Sequence, residues 1–300
     1  MKSYKKVLVL GLLVLLVGTG MACGKKEEAP IVTGPALSAS VTKDEPEATP
    51  AYFTFHDASG NLYRGDLQMG VPLCAYEKEA FGKDKNGKMR YKGEGYDCSL
   101  GVDLAHHCGK VNWKKVKAAG YDFAILRIGY RGYGKDGSLN KDRQFERNYE
   151  KARQAGLKVG AYFFAQAINK KEAAEEARFV LDILNGRPLD LPLCYDPESI
   201  PYAKARTDKV SGKQFTKNTL EFCGLVKEAG YEPMFYCNLM WQAKKFDLKK
   251  LCHMPLWYAD YQDQPQTPYY FNFWQYSESA KVPGVNGRCD TNIYLTKKSS

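Results

Sequence analysis

The sequence predicts an α/β fold, a TIM-like (β/α) barrel preceded by a small β-rich segment. Three dipeptides, Ala119-Gly120, Ala155-Gly156 and Ala229-Gly230, each close a helical pattern and are followed within three residues by an apolar run. A glycine just after a helix adopts the left-handed conformation that ends it. The dipeptides lie 36 and then 74 residues apart, or one and about two helix-to-strand units, so they indicate a repeated βα architecture.

Eight apolar runs are the candidate strands. They lack polar alternation, which is typical of parallel strands that are buried on both faces. Eight strands in about 200 residues predict a compact barrel, near the lower end of the size range for that fold. The last two connections are too short, or too rich in proline and glycine, for regular helices, so we expect an irregular last third. The runs cover residues 100–104, 123–129, 159–165, 191–196, 234–238, 256–261, 271–276 and 292–295.

The amino terminus has the layout of an export signal. Three lysines precede an uninterrupted apolar run at 7–17, which is too short to span a bilayer comfortably. Gly20-Met21-Ala22 is a small-x-small cleavage site, and Cys23 resembles a lipobox cysteine, although lipoproteins usually carry leucine where Gly20 stands. We therefore predict a signal peptide at 1–22, lipidation of Cys23, and export to the outer face of the bacterial membrane and the cell wall. Ordinary secretion is the alternative.

The rest of the chain divides by composition. Residues 24–50 are rich in Lys, Glu, Ala, Ser, Thr and Pro with almost no aromatic residues, which is typical of a disordered tether. Residues 52–63 alternate apolar and polar types around an Asp-Ala-Ser-Gly-Asn turn, which predicts a β-hairpin. We assign 23–50 to the lipobox cysteine and linker, 51–97 to a small β-rich segment, and 98–300 to the barrel.

The mature chain is basic. Removing the three lysines of the signal reduces the 44 basic residues to 41, which leaves an excess of 7 over the 34 acidic residues. Such an excess favours an anionic polymer as a neighbour. Nucleic acid is excluded as a partner because the chain is exported and has no stripe of basic residues interleaved with aromatics. A cell wall that bears teichoic acids would suit this charge.

Two carboxylates with i, i+2 spacing, Asp196 and Glu198, end the apolar run that begins at Leu191. Side chains alternate along a strand, so these two share a face, and their backbones lie roughly 6.6 Å apart. Like charges this close raise one pKa and leave the other carboxylate ionised, which is the layout that glycoside hydrolysis uses. The same residues could form only the polar turn after a strand, so the rest of the chain has to decide.

Polar and aromatic residues recur at the ends of other strands, where catalytic residues of such barrels lie. Asp103 ends the first strand and Asp290 precedes the eighth. Each residue alone is compatible with a core or capping role, but convergence on one mouth is hard to obtain by accident. Aromatic side chains and carboxylates together are well suited to binding a sugar. The candidates for substrate binding are Tyr162, Tyr236, Trp257, Tyr261, Trp274 and Gln275.

His106-His107-Cys108, close to Asp103, invites a metal or a Cys–His nucleophile interpretation. Adjacent histidines on an extended segment point to opposite sides, and the chain lacks paired CxxC motifs, so we predict no metal and no cofactor. The eight cysteines besides Cys23 permit disulfides in an exported protein, but 105 pairings are possible and the sequence does not choose among them.

Taken together, these residues resemble the lysozymes of glycoside hydrolase family 25. The resemblance covers nearly all of the last 200 residues in the family's order. It implies five βα units completed by three strands, (β/α)5(β)3, and cleavage of the β-1,4 bond between N-acetylmuramic acid and N-acetylglucosamine in peptidoglycan. Two departures are Pro197, where many members carry an aliphatic or aromatic residue, and 127–131, where some carry a glutamate. The matching motifs are Gly101-Val102-Asp103, Val111-Asn112-Trp113, Val159-Gly160-Ala161-Tyr162-Phe163, Asp196-Pro197-Glu198, Leu256-Trp257-Tyr258-Ala259-Asp260-Tyr261, Trp274-Gln275-Tyr276 and Asp290-Thr291-Asn292.

The resemblance also implies roles for the acids. Glu198 would be the general acid, and Asp196 would orient and stabilise the substrate's own 2-acetamido group as it attacks. Asp103 and Asp290 would tune Asp196 or bind the sugar. A carboxylate nucleophile about 5 Å from the acid is the other option for a retaining enzyme.

Two alternatives to a muramidase stay open. One is an endo-N-acetylglucosaminidase or chitinase-like hydrolase, and the other is a non-catalytic wall-binding lipoprotein that keeps the barrel as a scaffold. The expected partners are peptidoglycan and, through the lipid anchor, the membrane, and we expect a monomer.

Overall fold

The structure is a computed structural model that describes residues 52–57, 59–201 and 203–298. The predicted signal peptide, Cys23 and the linker therefore lie outside the described residues. Within those ranges, every helix is too short or too polar to cross a membrane. The eight cysteines of the described part are free thiols, so none of the permitted disulfides is present there.

Two antiparallel hairpins precede the barrel. The first joins β1 (Tyr52–His56) to β2 (Leu62–Asp66), which confirms the predicted hairpin. The second joins β3 (Phe81–Lys83) to β4 (Met89–Tyr91) and follows a short 3-10 turn at Lys78–Ala80.

The two hairpins turn in the same way, a repeat that was not predicted from the sequence. Asp57 and Asp84 each accept, through Oδ1, the backbone N–H groups of the residues two and four positions later. A glycine in the left-handed region completes each turn, with φ of 82° at Gly60 and 75° at Gly87. Aspartate and glycine therefore encode one turn twice, because the side chain caps the turn and glycine alone adopts that backbone without strain.

Both hairpins share a core with the barrel. Phe53 and Phe55 of the first hairpin, and Phe81 and Met89 of the second, belong to the same buried cluster as the outer face of the barrel sheet. Burying apolar side chains is the main stabilising contribution to folding. The amino-terminal segment is thus part of one packed unit rather than a separate module.

Eight strands close into a barrel, which confirms the predicted fold class. In chain order they are β5 (Tyr96–Leu104), β6 (Phe123–Arg131), β8 (Lys158–Ala165), β9 (Leu193–Pro197), β10 (Pro233–Asn238), β11 (Leu256–Ala259), β12 (Phe273–Ala280) and β13 (Cys289–Lys297), while β7 (Leu139–Lys141) pairs only with the outer end of β6. The first seven run parallel to one another, and β5 pairs with β6. β13 closes the ring by pairing antiparallel with both β12 and β5.

Helices follow the first five barrel strands. They are α1 (Trp113–Ala118), α2 (Phe145–Gln154), α3 (Lys170–Leu184), α4 (Gly212–Glu228), α5 (Leu239–Lys244) and α6 (Leu248–Leu251). As predicted, α1, α2 and α4 are each capped at the carboxyl end by an alanine that is followed by a glycine with φ between 81° and 86°. No α-helix joins β11 to β12 or β12 to β13, both of which are fully described. The irregular last third and the five-plus-three plan are therefore confirmed.

The direction of β13 decides where Asp290 lies. In an all-parallel barrel, a residue that precedes the last strand would lie at the amino end, away from the catalytic mouth. Because β13 runs antiparallel, its first residues meet the last residues of β5, and Asp290 pairs in register with Asp103. The expectation that four acids meet at one mouth therefore requires a strand reversal that the sequence pattern does not reveal.

The interior below the mouth is solid. Phe123, Ile125, Met234 and Phe273 fill it and are all nearly inaccessible to solvent. A Cβ at Gly101 would lie 2.1 Å from the Phe123 ring, so glycine is needed there to admit that ring. The packed floor leaves the carboxyl ends of the strands as the place for a site.

Candidate active site

The first pair of site acids lies across the β5–β13 seam. Burial raises the pKa of Asp103 to about 6 and, together with the neighbouring charge of Asp103, raises that of Asp290 to about 9. Because these two acids pair in register and Asp290 has the higher pKa, at neutral pH Asp290 holds a proton and Asp103 is the charged partner.

The second pair lies at the end of β9. Asp196 is buried, and Glu198, just beyond the strand, is half-buried. Burial raises the pKa of Glu198 to about 7; a hydrogen bond with Asp196 opposes this shift, and the charges of Asp103 and Glu278 add to it. The pKa of Asp196 is also well above its usual range, because of burial first and then the charge of Glu198. At neutral pH this pair therefore keeps a proton available for transfer.

One oxygen of the second pair lacks a partner. Asp196 Oδ1 is buried and accepts no hydrogen bond from any N–H, alcohol or phenol group of the described residues. A buried acceptor left unpaired costs about 1–3 kcal/mol, so its presence in a folded protein calls for an explanation such as a bound ligand. The oxygen is therefore available to a donor that arrives with the substrate.

Gln275 connects the first pair to two tyrosines. Its Nε2 donates to Asp103 Oδ2 at 3.0 Å, and its Oε1 accepts from Tyr261 at 2.9 Å and from Tyr236 at 3.3 Å. The amide is fixed in one orientation by these three bonds. Tyr261 is 38% exposed, whereas Tyr236 is 7% exposed. The predicted site residues on β10, just beyond β11 and on β12 thus meet around one carboxylate.

Trp257 lies underneath the site rather than in it. Its indole N–H donates to Asn292 Oδ1 at 2.8 Å, and Asn292 Nδ2 donates to Asp103 Oδ2 at 2.7 Å. The ring is 1% exposed and makes edge contacts with Tyr162 and Tyr236. The predicted contact of Trp257 with substrate is therefore not supported, because the ring offers no free surface. The Trp257 indole instead holds the Asn292 side chain in place, and Asn292 was not predicted as a site residue.

Trp274 does not lie in the site, contrary to the prediction from the sequence. Side chains alternate along β12, so Trp274 and Gln275 face opposite sides of the sheet. Trp274 is fully buried against Phe81 and Phe271 on the outer face, and its N–H donates to the backbone oxygen of Asp260 at 2.7 Å. It covers the barrel from outside and does not reach the mouth.

Arg127 is a site residue that was not predicted. Its Nε donates to Asp142 Oδ2 at 2.9 Å, and its terminal nitrogen lies 2.7 Å from Nδ1 of His106. Because arginine only donates, that ring nitrogen accepts the bond. The positive charge of Arg127 lowers the pKa of Asp196 against the larger effects of burial and of Glu198. Arg127 is therefore the cation that opposes the surrounding acids.

A bulge in β6 brings Tyr130 to the mouth. The register with β8 shifts between Arg127 and Gly129, so Arg127 pairs with Tyr162 and Tyr130 pairs with Phe164. A bulge changes which residues face the interior, and no pattern in the sequence marks it. Glu278, beyond Gln275 on β12, also approaches the site, since its charge raises the pKa of Glu198 and of Asp290.

Two cavities lie at opposite ends of the barrel. A cavity of about 130 Å³ adjoins the site and is lined by Tyr236 and Tyr261 together with residues 55–57 of the first hairpin. A larger concavity of about 530 Å³ lies at the amino end of β9 and β10 and is lined by Pro192 and Glu232. None of the four site acids lines the larger one, so it is not the chemical centre.

Comparisons with known proteins agree with this geometry. The family model described as glycosyl hydrolases family 25 matches residues 102–285. Lysozyme M1 of Streptomyces globisporus is 29% identical over 204 residues, which cover 65% of this chain and 67% of that protein. The crystal structure of a bacterial lysozyme from Streptomyces coelicolor is 25% identical with a TM-score of 0.52 and covers 65% of this chain and 91% of its own.

A third relative has a wider structural match. The modular autolysin LytC from Streptococcus pneumoniae is 22% identical, with a TM-score of 0.59, over 83% of this chain and 57% of its own. Since 83% of 300 residues is about 249, and only 203 residues lie between 98 and 300, the shared fold extends into the amino-terminal segment. LytC has also been solved in complex with a synthetic peptidoglycan ligand.

Proposed function

The chain belongs to glycosyl hydrolase family 25, and we propose that it is a peptidoglycan muramidase. It cleaves the β-1,4 bond between N-acetylmuramic acid and N-acetylglucosamine. The observation that carries this proposal is the second acid pair: a half-buried Glu198 with a pKa of about 7 beside a buried Asp196 whose Oδ1 has no partner among the described residues. A protonated acid beside an unsatisfied acceptor fits a sugar with a basic leaving oxygen and an amide donor.

In the proposed reaction, Glu198 donates its proton to the glycosidic oxygen as the bond to the leaving sugar breaks. The carbonyl oxygen of the 2-acetamido group attacks the anomeric carbon, and its N–H donates to Asp196 Oδ1 as positive charge develops on the amide. Water then opens the oxazolinium ring and returns a proton to Glu198. Asp103 stays ionised, and its charge adds to the effect of burial, which is the larger cause of the high pKa of Glu198.

Support for the acetamido route comes from hydrogen bonding. Asp103 is the other buried carboxylate of the site, but its Oδ2 already accepts from both Gln275 and Asn292. Asp196 Oδ1 is the free acceptor. A donor on the substrate would remove the cost of leaving that oxygen unpaired, and so would bind Asp196 more favourably than Asp103.

The test is identification of the sugar at the new reducing end. The mature chain is incubated with purified peptidoglycan, and the products are reduced and analysed by mass spectrometry. A muramic acid reducing end supports the proposal. A glucosamine reducing end would replace it with an endo-N-acetylglucosaminidase, and binding without any product would replace it with a wall-binding protein.

Export and anchoring are part of the proposal, since peptidoglycan lies outside the cytoplasm. Cys23 follows a small-x-small site and an apolar run with lysines before it. Replacing Cys23→Ser should move the protein from the membrane fraction to the soluble exported fraction, because a lipid chain supplies the membrane affinity. Unchanged fractionation of this variant would rule out lipidation at Cys23.

A further inference from the structure

The cavity of about 130 Å³ beside the site has a wall from outside the family region. Phe55, His56 and Asp57 form one side, and the other side includes Asn238, Tyr261 and Gln262 from the ends of β10 and β11. The family match begins at residue 102, so the first hairpin contributes a surface that the matched region does not contain. One wall of the cavity therefore lies outside the region that the family model matches.

The hairpin wall is held firmly against the barrel. Gln266 accepts from the backbone N–H of His56 at 2.7 Å and donates through Nε2 to the backbone oxygen of His56 at 3.0 Å. The same amide donates to Asp260, next to Tyr261, and Phe53 packs edge-on against Tyr269. Paired hydrogen bonds and ring packing fix the cavity's two sides relative to each other.

The cavity adjoins the site. Tyr236 and Tyr261 line it, and both hydroxyls donate to Gln275, whose amide donates to Asp103. Only one layer of side chains therefore separates the cavity from the acids. A polymeric substrate runs past the cleaved bond in both directions, so a neighbouring concave surface is where its next unit would lie.

The chemistry of the lining is that of a neutral sugar site. Tyr261 offers a ring with 38% exposure, and Gln262 has a side-chain amide without a hydrogen-bond partner among the described residues. Asn238 uses its Oδ1 to cap α5, which leaves its amide N–H groups for a ligand. The lining contains the carboxylates Asp57 and Asp260 and, within the described chain, no lysine or arginine. Anions are therefore disfavoured.

We propose that this cavity is an accessory saccharide subsite that binds a neutral N-acetylglucosamine unit of the glycan strand, beyond the sugars that lie at the acids. The inference rests on the proposed function for the identity of the polymer. It adds that the first hairpin extends the groove, so longer strands bind more tightly than short ones. The lactyl carboxylate and the peptide stem of muramic acid are not its ligands, because the wall carries negative charge.

The test uses the mature Glu198→Gln chain, which binds strands without cutting them. Peptide-free glycan strands of four and of eight sugars are titrated calorimetrically. Gln262→Ala in this background should weaken binding of the longer strand roughly fivefold and leave the shorter one unchanged, as loss of one or two hydrogen bonds predicts. Gln264→Ala is the matched control, since Gln264 is exposed in the same loop and does not line the cavity.

A second variant guards against local unfolding. Asn238→Asp keeps the oxygen that caps α5 but loses the amide donors, and Asn169→Asp makes the same change at the cap of α3, away from the cavity. The first change should weaken binding of the longer strand and the second should not. Equal affinities for Gln262→Ala and Gln264→Ala at both lengths would overturn the subsite.

Failure of the subsite and failure of the proposed function are distinguishable. If the unsubstituted chain releases products with muramic acid ends but strand length does not change the affinity, only the subsite is wrong. If affinity depends on strand length but no product forms, only the muramidase proposal is wrong.

Discussion

The two acid pairs of the site, Asp103 with Asp290 and Asp196 with Glu198, are built differently. The first pair is assembled from strands that are 187 residues apart and is held by the β5–β13 register. Its charged oxygen accepts from Gln275 and Asn292 at 3.0 and 2.7 Å. The second pair comes from positions two residues apart in one chain segment and leaves Asp196 Oδ1 without an N–H, alcohol or phenol partner among the described residues.

This difference indicates that the first pair supports the site electrostatically, whereas the second pair takes part in the reaction. A satisfied buried carboxylate is a fixed negative charge that sets the field of the site, whereas an unsatisfied one is ready to accept a hydrogen bond from a ligand. Proton transfer then belongs to Glu198, whose pKa of about 7 lies near neutral pH. Substitutions in the two pairs and around them test this division.

Replacing Glu198→Gln should lower kcat by roughly 10²–10⁴-fold, because the general acid is lost. Product release from peptidoglycan measures the effect, and the melting temperature should be unchanged. Glu278→Gln is the control, since Glu278 is an exposed acid near the same mouth. A comparable loss of activity in the control would indicate that bulk negative charge, rather than Glu198 itself, matters.

Replacing Asp196→Asn should lower kcat by roughly 10²-fold, because the developing positive charge on the acetamido group loses its counter-charge. Asp290→Asn should lower kcat less than about tenfold, since Asp290 already carries a proton at neutral pH and an amide is also neutral. Steady-state kinetics on soluble glycan strands compares the two. An equal decrease in kcat for the two variants would contradict the distinction between a reacting and a supporting pair.

Activity of the unsubstituted enzyme should fall as pH rises through about 7, when Glu198 loses its proton.

Arg127→Gln should move the acidic limb of the pH profile of activity to higher pH, because the cation that favours ionised Asp196 is gone. Arg127→Lys retains the charge and should restore part of the shift. An unmoved acidic limb in Arg127→Gln would show that Arg127 acts only as packing.

Stability should depend on pH through Asp290. Its folded-state pKa, about 9, is raised above the ordinary value of 3.8, so the folded state holds a proton that the unfolded chain has lost. The free energy of unfolding therefore decreases as pH rises from about 4 to about 9. Asp290→Asn removes this contribution and should flatten the decrease in urea unfolding at a series of pH values. An unchanged pH dependence would show that Asp290 is not buried as protonated acid.

Trp274→Phe should have the smallest effect on kcat, less than about twofold, because the ring faces away from the mouth. It should lower stability by about 1–3 kcal/mol, since the indole bond to the Asp260 oxygen and some buried volume are lost. Urea unfolding and kinetics on the same sample report both quantities. A large decrease in kcat without a decrease in stability would show that Trp274 acts in the active site.

Local patterns in the sequence determined most of the scaffold. Helix ends at alanine-glycine pairs, the eight apolar runs, the short last connections and the first hairpin all depend on neighbouring residues, so propensity and spacing reveal them. The Asp196–Glu198 pair was readable for the same reason, because i, i+2 spacing on a strand fixes a shared face. The resemblance of the motifs then pointed to the family.

Only the tertiary structure decided contacts between distant segments. The reversal of β13 places Asp290 beside Asp103, and the bulge in β6 brings Tyr130 to the mouth. Trp274 faces outward while its neighbour Gln275 faces the acids, and Arg127 opposes their charge. Strand direction, bulges and facing are set by the packing of the whole barrel. A sequence pattern records neighbours along the chain, whereas these features depend on neighbours across it.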